Sequence, residues 1–475
     1  MSLKSPPPSG PEAGRLVNGF VRLFGVFLGL ALLKFGNAVI MERQITWPKD
    51  GYEWAIAQWP VAMGCGLLAI LAISGAALAR WRIGKHRWLV VLPLAWLGWQ
   101  LLAATTTVDG VLTGLTLRHF AACVVCFYIG YFALGRATSL GGLWGLVIAA
   151  MLLVILVGVD QRFRGQAETQ AFLLKNEQSH WRDLPPDQVT QMERDGLLFR
   201  TPEGWTVNPG LLKKAESRRI SSTLFYPNSL AGAILLVLPP CLVTLATTRR
   251  LTPAARWFAG SAFGLGAMAC LFWSGSKSGW LLALVLAVIT LLRSPLNRQI
   301  KTGIVIAVLV FGMAGFAARY AGFFQRGATS VVARFDYWRA AWQTAASHPM
   351  LGTGPGTFSR AYQGIKKPES EMARLTHNDY LQQASDSGWP GFLLYCGLIL
   401  GGLLISGKLL WASGSWEQYA VWLGTLGWAL QGMVEFGLYI PALAWTAFTM
   451  LGWLVAGAAN DSTLRRNATR LPTQT

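Results

Sequence analysis

The chain contains about twelve runs of roughly 20 mainly apolar residues, the length that a helix needs to cross a membrane. Unsatisfied backbone groups are costly in lipid, so such runs must form helices that satisfy their own hydrogen bonds. Only 13% of the 475 residues are charged, about half the fraction that is usual in soluble proteins. The sequence therefore predicts an all-α integral membrane protein with spans at 17–41, 54–79, 87–106, 117–135, 141–160, 227–247, 256–274, 278–294, 302–321, 389–408, 416–435 and 438–457.

The Lys and Arg residues between these runs predict the orientation, because short cytoplasmic loops carry an excess of them. One side of the membrane receives most of these residues in its short connections and is assigned to the cytoplasm. They are Lys4, Arg15, Arg80, Arg82, Lys85, Arg87, Arg136, Arg249, Arg250, Arg256, Arg293, Arg298, Lys301, Arg465, Arg466 and Arg470. The even number of spans predicts a multi-pass protein with both termini in the cytoplasm.

The predicted spans divide the chain into five segments. Residues 1–160 form a cytoplasmic tail and five spans, and residues 161–226 form a first long loop, predicted to be a small irregular cap. Residues 227–321 form four spans, residues 322–388 a second long loop, and residues 389–475 three spans and a second tail. Both loops are predicted to be extracytoplasmic, since loops of this length are largely exempt from the charge rule.

The net charge of +19 does not indicate a nucleic-acid partner, because the basic residues lie between apolar runs rather than on one continuous face. The six cysteines fall inside apolar stretches, where they behave as small hydrophobic residues. They indicate neither a disulfide framework nor a metal site. The partner that the composition implies is the lipid bilayer.

The polar cluster at residues 376–391 carries the strongest functional signal. Thr376 followed by Asp379 is a capping-box pattern, which predicts a helix that begins here, holds His377 in its first turn and ends at Gly388. The positive end of the helix dipole would favour both a bound anion and a neutral imidazole. His377 would then suit a general base beside a phosphate. The alternative is a histidine that only caps the helix.

Two basic clusters are predicted on the same outer side. Arg218 and Arg219 precede Asn228 at the start of a span, and a guanidinium fork suits phosphate oxygens. Lys277 lies in a tight turn between two spans, on a face where the charge rule predicts few cations. The alternatives are headgroup anchoring for the arginines and interfacial snorkelling for the lysine.

The second long loop contains an aromatic segment followed by glycines. From Arg334 onward, Phe335, Trp338 and Trp342 recur at helical spacing, which predicts an amphipathic helix lying in the membrane interface. The glycine-rich stretch from His348 to Gly356 is predicted to be a turn, with an anion-binding backbone nest as one interpretation.

Taken together and in this order, these residues resemble the signature of the O-antigen ligase and polymerase superfamily. The matching features are Arg334 with its aromatic helix, the turn from His348 to Gly356, His377 and Asn378 followed by Gly388 and Gly391, and upstream Arg219, Pro227 and Asn228. The match covers roughly residues 219–395. It departs from the family pattern at Ser222, where Gly is frequent, and at Lys277, where Arg is frequent.

The resemblance implies a type C glycosyltransferase-like fold in the bacterial inner membrane. It implies metal-independent, inverting transfer of a glycan from undecaprenyl diphosphate on the periplasmic side, with no cofactor. His377 would be the catalytic residue. The residues implied to bind the diphosphate or the glycan are Arg219, Arg334, Lys277, Arg218, Asn228 and Asn378.

Three functions remain open at this stage. A ligase would use lipid A-core oligosaccharide as the acceptor and is the first expectation, whereas a polymerase of the same superfamily would use a second glycan. A transporter of lipid or polysaccharide without catalysis is the third. Transporters place ionisable residues near the middle of the membrane at helix breaks, whereas the candidates here lie at the outer ends of spans, which favours an enzyme.

Overall fold

The computed structural model describes residues 11–468 except 138, 195–196, 203, 209–215, 326–328, 369 and 414, so Lys4 and Arg470 lie outside the described residues. The helices are α1 (Pro11–Lys34), α2 (Gly51–Ile56), α3 (Val61–Leu78), α4 (Arg87–Ala103), α5 (Gly110–Tyr128), α6 (Gly141–Asp160), α7 (Gln166–Gln178), α8 (Pro186–Arg194), α9 (Pro227–Thr247), α10 (Pro253–Ser274), α11 (Lys277–Arg293), α12 (Arg298–Gln325), α13 (Thr329–Ser347), α14 (Phe358–Ile365), α15 (Asp379–Ser413), α16 (Trp416–Gln431) and α17 (Pro441–Ala468). Strands β1 (Leu198–Thr201) and β2 (Gly204–Val207) pair as an antiparallel hairpin.

The all-α membrane character predicted from the sequence is confirmed: ten helices in the described part of the chain are long and apolar enough to cross a membrane. A helix coincides with each of the other two predicted spans, but α11 has 17 residues and α16 has 16. At 1.5 Å per residue these two helices are roughly 24–26 Å long, slightly shorter than a hydrocarbon core of about 30 Å.

The helices pack around α17. In its most apolar stretch 94% of the residues are buried, whereas none of the residues in the most apolar stretch of α12 is buried. Helix α1 packs on α6, α9 packs on α10 and α16, and α17 packs on α5. The central cluster contains large aromatic side chains that are fully buried, among them Trp96, Trp144, Trp428 and Trp445. The bundle is thus held by a continuous apolar core, with α12 at its periphery.

The first long loop is more regular than the predicted irregular cap. Helix α6 continues through a π-helical turn (Gln161–Gly165) into α7, so one helical segment runs from Gly141 to Gln178. Beyond it, α7, α8 and the hairpin share a small core of their own, formed by Leu173, Trp181, Val189, Leu198 and Val207. These apolar residues are spaced irregularly among charged ones, so they produce no periodic signal in the sequence.

Two helices end earlier than predicted and a third is broken, all at the same end of the bundle. The predicted span 17–41 ends as α1 at Lys34, and residues Val39–Gln44 form a separate 3-10 helix. The predicted span 416–435 ends as α16 at Gln431. Helix α15 is broken at Ser387 and Gly388, and Gly388 has a φ of +71°. These interruptions bring irregular backbone and polar side chains to one end of the bundle.

Candidate functional site

A cavity of about 350 Å³ at this end of the bundle brings together the predicted residues Arg219, Asn228, Lys277, Arg334 and His377. They come from the segment before α9 and its first turn, the start of α11, the helix α13 and the segment before α15. Their separation in sequence shows that the bundle assembles the cavity from distant segments. The wall holds four cationic side chains and one carboxylate, which gives the cavity a positive potential suited to an anion.

Arg219 is fixed in the cavity wall by two neighbouring segments. Its Nε donates to the carbonyl of Ser274 at 2.7 Å, and its guanidinium donates to Oδ1 of Asn228 at 2.9 Å. Gly275 lies against this side chain with a φ of +61°, and a Cβ there would approach Nε of Arg219 to 3.2 Å. The predicted tight turn is therefore confirmed, and its glycine leaves room for the guanidinium.

Lys277 begins α11 directly after this turn. Ser276 is the N-cap residue, and its hydroxyl accepts a hydrogen bond from the backbone N–H of Gly279 at 3.2 Å. The turn thus fixes the direction in which α11 leaves, and Lys277 lines the same cavity as Arg219.

Glu435 links three of the predicted residues, although sequence reasoning did not single it out. Its Oε1 accepts hydrogen bonds from Nδ2 of Asn228 at 2.6 Å and from the guanidinium of Arg334, and its Oε2 lies 3.1 Å from Nδ1 of His377. The side chain is 5% exposed and lies behind the cavity wall. A carboxylate at the outer end of the apolar run 416–435 was the signal available in the sequence.

His377 does not lie in the first turn of a helix, contrary to the prediction. It adopts a left-handed backbone conformation (φ +52°) ahead of α15, and Asn378 caps that helix by accepting from the N–H of Leu381 at 3.0 Å. The imidazole packs between Tyr337, at a centroid distance of 6.0 Å, and Phe436, at 4.8 Å. Because a carboxylate only accepts hydrogen bonds, the contact between Nδ1 and Oε2 of Glu435 requires a proton on Nδ1, and Nε2 is the ring nitrogen that does not contact Glu435.

The predicted capping box is also different in detail. Asp379 does not bond back to Thr376; its Oδ2 accepts instead from the N–H of Leu438 at 2.9 Å. The N–H of Thr376 donates to Oε1 of Gln382 at 2.9 Å. Asp379 is drawn away because it is buried against the segment that follows Glu435. The predicted end of the helix at Gly388 is confirmed as the break within α15.

Arg374 is a second lining residue that sequence reasoning missed. It forms no ion pair with any residue that the structure describes, and its guanidinium lies 2.6 Å from the sulfur of Met41, a weak acceptor. Nearby, burial is the main cause that raises the pKa of Tyr337 to about 12, so this phenol stays protonated at neutral pH. Arg374 therefore brings to the cavity a charge that forms no ion pair with any of the described residues.

The glycine-rich turn from His348 to Gly356 is confirmed as a turn, but it binds the protein itself rather than forming part of the cavity. The N–H of Gly354 donates to the carbonyl of Asp386 at 2.8 Å, and the N–H of Gly356 donates to the carboxylate of Asp386 at 2.8 Å. Gly352 has a φ of +65°, and a Cβ there would lie 2.4 Å from the carbonyl carbon of Asp386. The turn braces the break in α15.

Two predicted residues do not line the cavity. Arg218 is exposed beside Arg219, with a φ of +51°, and Asn378 acts as the cap of α15. The predicted helix at Arg334 is confirmed as α13, where Phe335 and Trp342 are more than half exposed and Tyr337 is buried. Exposed aromatic side chains on one face and buried residues on the other are typical of an interfacial helix.

Residues 261–396 match the O-antigen ligase family. This region contains Lys277, Arg334 and His377, and Arg219, Asn228 and Glu435 lie outside it. A comparison with curated proteins found no match.

Proposed function

We propose that this chain, of which residues 261–396 match the O-antigen ligase family, transfers a glycan from undecaprenyl diphosphate to an acceptor hydroxyl, with lipid A-core oligosaccharide as the first expected acceptor. The observation that carries the proposal is the cavity in which His377 lies with Arg219, Lys277 and Arg334. A base and several cations in one cavity are what transfer from a diphosphate leaving group requires.

The diphosphate is proposed to bind to the cationic wall. Arg219 is already positioned by Ser274 and Asn228, so its guanidinium loses little freedom when an anion binds. Arg334 is paired with Glu435, and Lys277 adds a charge from the start of α11. As the bond from the sugar to the diphosphate breaks, negative charge grows on the leaving oxygen, and these cations stabilise it most at that stage.

His377 is proposed to take the proton of the acceptor. The acceptor oxygen forms a bond to the anomeric carbon, the diphosphate leaves with the electron pair of the broken bond, and Nε2 of His377 receives the hydroxyl proton. Glu435 holds Nδ1 and stabilises the imidazolium that forms. Attack on the face opposite the diphosphate inverts the anomeric centre. No step in this scheme draws on a metal ion or a cofactor.

The cavity is proposed to open on the periplasmic side of the inner membrane. It lies at the end of the bundle where α1, α10 and α16 finish and α9 begins. The charge pattern of the short connections assigns the opposite end to the cytoplasm, and with it both termini. A lipid-linked donor could then present its diphosphate at the membrane surface.

The experiment is glycan transfer by purified protein from a defined undecaprenyl diphosphate glycan. We expect His377→Gln to lower the rate about 10²- to 10⁴-fold, the usual contribution of a general base. His348→Gln, which changes an exposed histidine outside the cavity, is the matched control and should keep wild-type activity. Full activity of the His377 variant would remove that residue from the mechanism.

The acceptor and the metal requirement are decided in the same assay. Transfer to lipid A-core oligosaccharide identifies a ligase, and transfer only to a second glycan identifies a polymerase. Loss of transfer in the presence of a chelator would contradict the metal-independent scheme. Absence of transfer to either acceptor, with binding of the lipid-linked glycan retained, would favour the transporter.

A further inference from the structure

A second cavity, of about 650 Å³, lies at the opposite end of the helices from the candidate active site. Along α9, Asn228 lines the first cavity and Thr244 lines the second, and these residues are roughly 24 Å apart along the helix axis. The walls come from the first half of α1, the start of α6, the end of α9 and the start of α16. The second cavity therefore faces the other leaflet of the membrane.

Two arginines without acidic partners reach this cavity. Arg22 lies within the apolar stretch of α1 that begins at Gly14, and Arg250 follows the end of α9. Neither forms an ion pair with any residue in the part of the chain that the structure describes. Arg22 packs over Gly142, where a Cβ would approach its Cγ to 3.1 Å. Arg22 is exposed and lies roughly 12 Å along α1 from Gly14, so its guanidinium is accessible to a lipid headgroup at this end of the bundle.

Among the described residues of the wall, the one carboxylate is that of Glu417, and it is already used by the protein. Its Oε1 accepts hydrogen bonds from the N–H of Leu140 at 2.7 Å and from the hydroxyl of Ser139 at 3.1 Å. These bonds hold the chain at the start of α6. The two guanidinium groups therefore exceed the acidic groups of the wall by one positive charge, and the cavity is complementary to an anion.

The wall changes from polar to apolar with depth. Ser139, Thr247 and Thr248 lie near the ends of their helices, whereas Ile148 and Val243 lie further along α6 and α9 toward the membrane interior. A phosphodiester with its glycerol would match the hydroxyl groups and the arginines, and an acyl chain would match the apolar part. A free inorganic anion would leave the apolar part of the wall without a partner.

We propose that this second cavity binds the headgroup of an anionic phospholipid from the leaflet opposite the candidate active site. Basic pockets between helices on the cytoplasmic side are suited to such headgroups. The inference does not depend on glycan transfer, because it concerns different residues at the other end of the bundle.

The test is competitive lipid binding to the full-length protein, measured by native mass spectrometry from micelles with equal phosphatidylglycerol and phosphatidylcholine. We expect the wild type to retain phosphatidylglycerol preferentially. Arg22→Gln combined with Arg250→Gln should reduce that preference about tenfold, the loss expected for a charge-assisted hydrogen bond. Arg22→Lys combined with Arg250→Lys keeps both charges and should keep most of the preference.

The matched control is Arg249→Gln, which changes the neighbouring exposed arginine outside the cavity wall and should leave the preference unchanged. Thermal unfolding in phosphatidylcholine alone checks that each variant is folded. An unchanged preference in the double Gln variant, or an equal loss with Arg249→Gln, would overturn the proposal. Displacement of the lipid by inorganic phosphate at equal concentration would also overturn it, because the site would then take a free anion.

Discussion

Nδ1 of His377 lies 3.1 Å from Oε2 of Glu435, whose other oxygen binds Arg334 and Asn228. One buried carboxylate thus connects the proposed base to a proposed diphosphate-binding arginine. The hydrogen bonds to Glu435 fix the tautomer of the His377 imidazole and hold the guanidinium of Arg334 at the cavity wall. Glu435 also holds Asn228, which in turn positions Arg219. Arg219, Arg334 and the proposed base are therefore parts of one hydrogen-bonded unit.

Glu435→Gln should lower the turnover number for transfer more than it changes the KM of the donor. Glutamine keeps the size of the side chain, but its neutral amide neither stabilises an imidazolium nor selects the tautomer with a proton on Nδ1. We expect a decrease of about 10²-fold, at the lower end of the range for general-base help. Steady-state kinetics with a defined donor measures both constants.

The matched control for Glu435→Gln is Glu168→Gln, which changes an exposed glutamate that pairs with Arg164 outside the site. Turnover of this control should equal that of the wild type. A Glu435 variant with unchanged turnover would show that the carboxylate is only a structural partner of Arg334.

Arg374→Ala should raise the KM of whichever substrate places an anionic group beside the guanidinium of Arg374. The effect on the turnover number should be smaller. The guanidinium has a thioether rather than a carboxylate as its neighbour, so a substrate anion would be its first strong partner. Loss of one charge-assisted hydrogen bond corresponds to an increase of roughly 10-fold or more. Varying the donor and the acceptor separately shows which substrate is affected.

Arg339→Gln is the control for Arg374, because Arg339 pairs with Asp336 on the exposed side of α13. Wild-type KM values are expected for it. Equal KM values for the Arg374 and Arg339 variants would mean that Arg374 does not contact substrate.

The sequence predicted the helices well because an apolar run of about 20 residues has essentially one stable form in lipid. Local patterns singled out Arg219, Asn228, Lys277 and His377, whereas the binding role of Arg334 was predicted only from the family resemblance. The bundle brings all five to one cavity. Pattern reasoning identified the first four positions because polar residues next to apolar runs are costly near lipid and therefore mark candidate functional sites.

Glu435 was missed for a physical reason. Glu435 lies in the predicted span 416–435, and its importance comes from contacts with residues about 60 to 210 positions earlier in the chain. No local pattern records such contacts. The backbone of His377 was mispredicted for a similar reason, since Asp379 bonds to Leu438 instead of completing a local box.

Asp109→Asn should lower the thermal stability of the protein at neutral pH, and the difference should shrink in acid. Hydrogen bonds from the backbone at Leu112 and the ion pair with Arg360, 2.9 Å away, lower the pKa of Asp109. A lowered pKa in the folded state means that the stabilisation is present above the unfolded pKa of about 3.9 and is lost as the pH falls through the folded value.

Melting temperatures of wild type and the Asp109 variant, measured across this pH range, test the sign. Asn still caps α5, so the comparison isolates the charge. Asp50→Asn is the control, because Asp50 caps α2 and forms no ion pair among the described residues. A difference that grows in acid would contradict the assignment.

Gly352→Ala should destabilise the protein strongly, whereas Gly98→Ala should not. Gly352 has a φ of +65°, and a Cβ there would lie 2.4 Å from the carbonyl carbon of Asp386 and 2.5 Å from the carbonyl oxygen of Ser385. The left-handed conformation alone costs a non-glycine residue roughly 1–2 kcal/mol, and the overlap requires the turn to move away from the break in α15. Gly98 has no atom within 4 Å of its Cβ position, so alanine there tests the substitution without the overlap. The break in α15 follows the segment that carries His377. We therefore expect the Gly352 variant to show both a lower melting temperature and a lower transfer activity. Equal melting temperatures for the Gly352 and Gly98 variants would show that the turn does not brace α15.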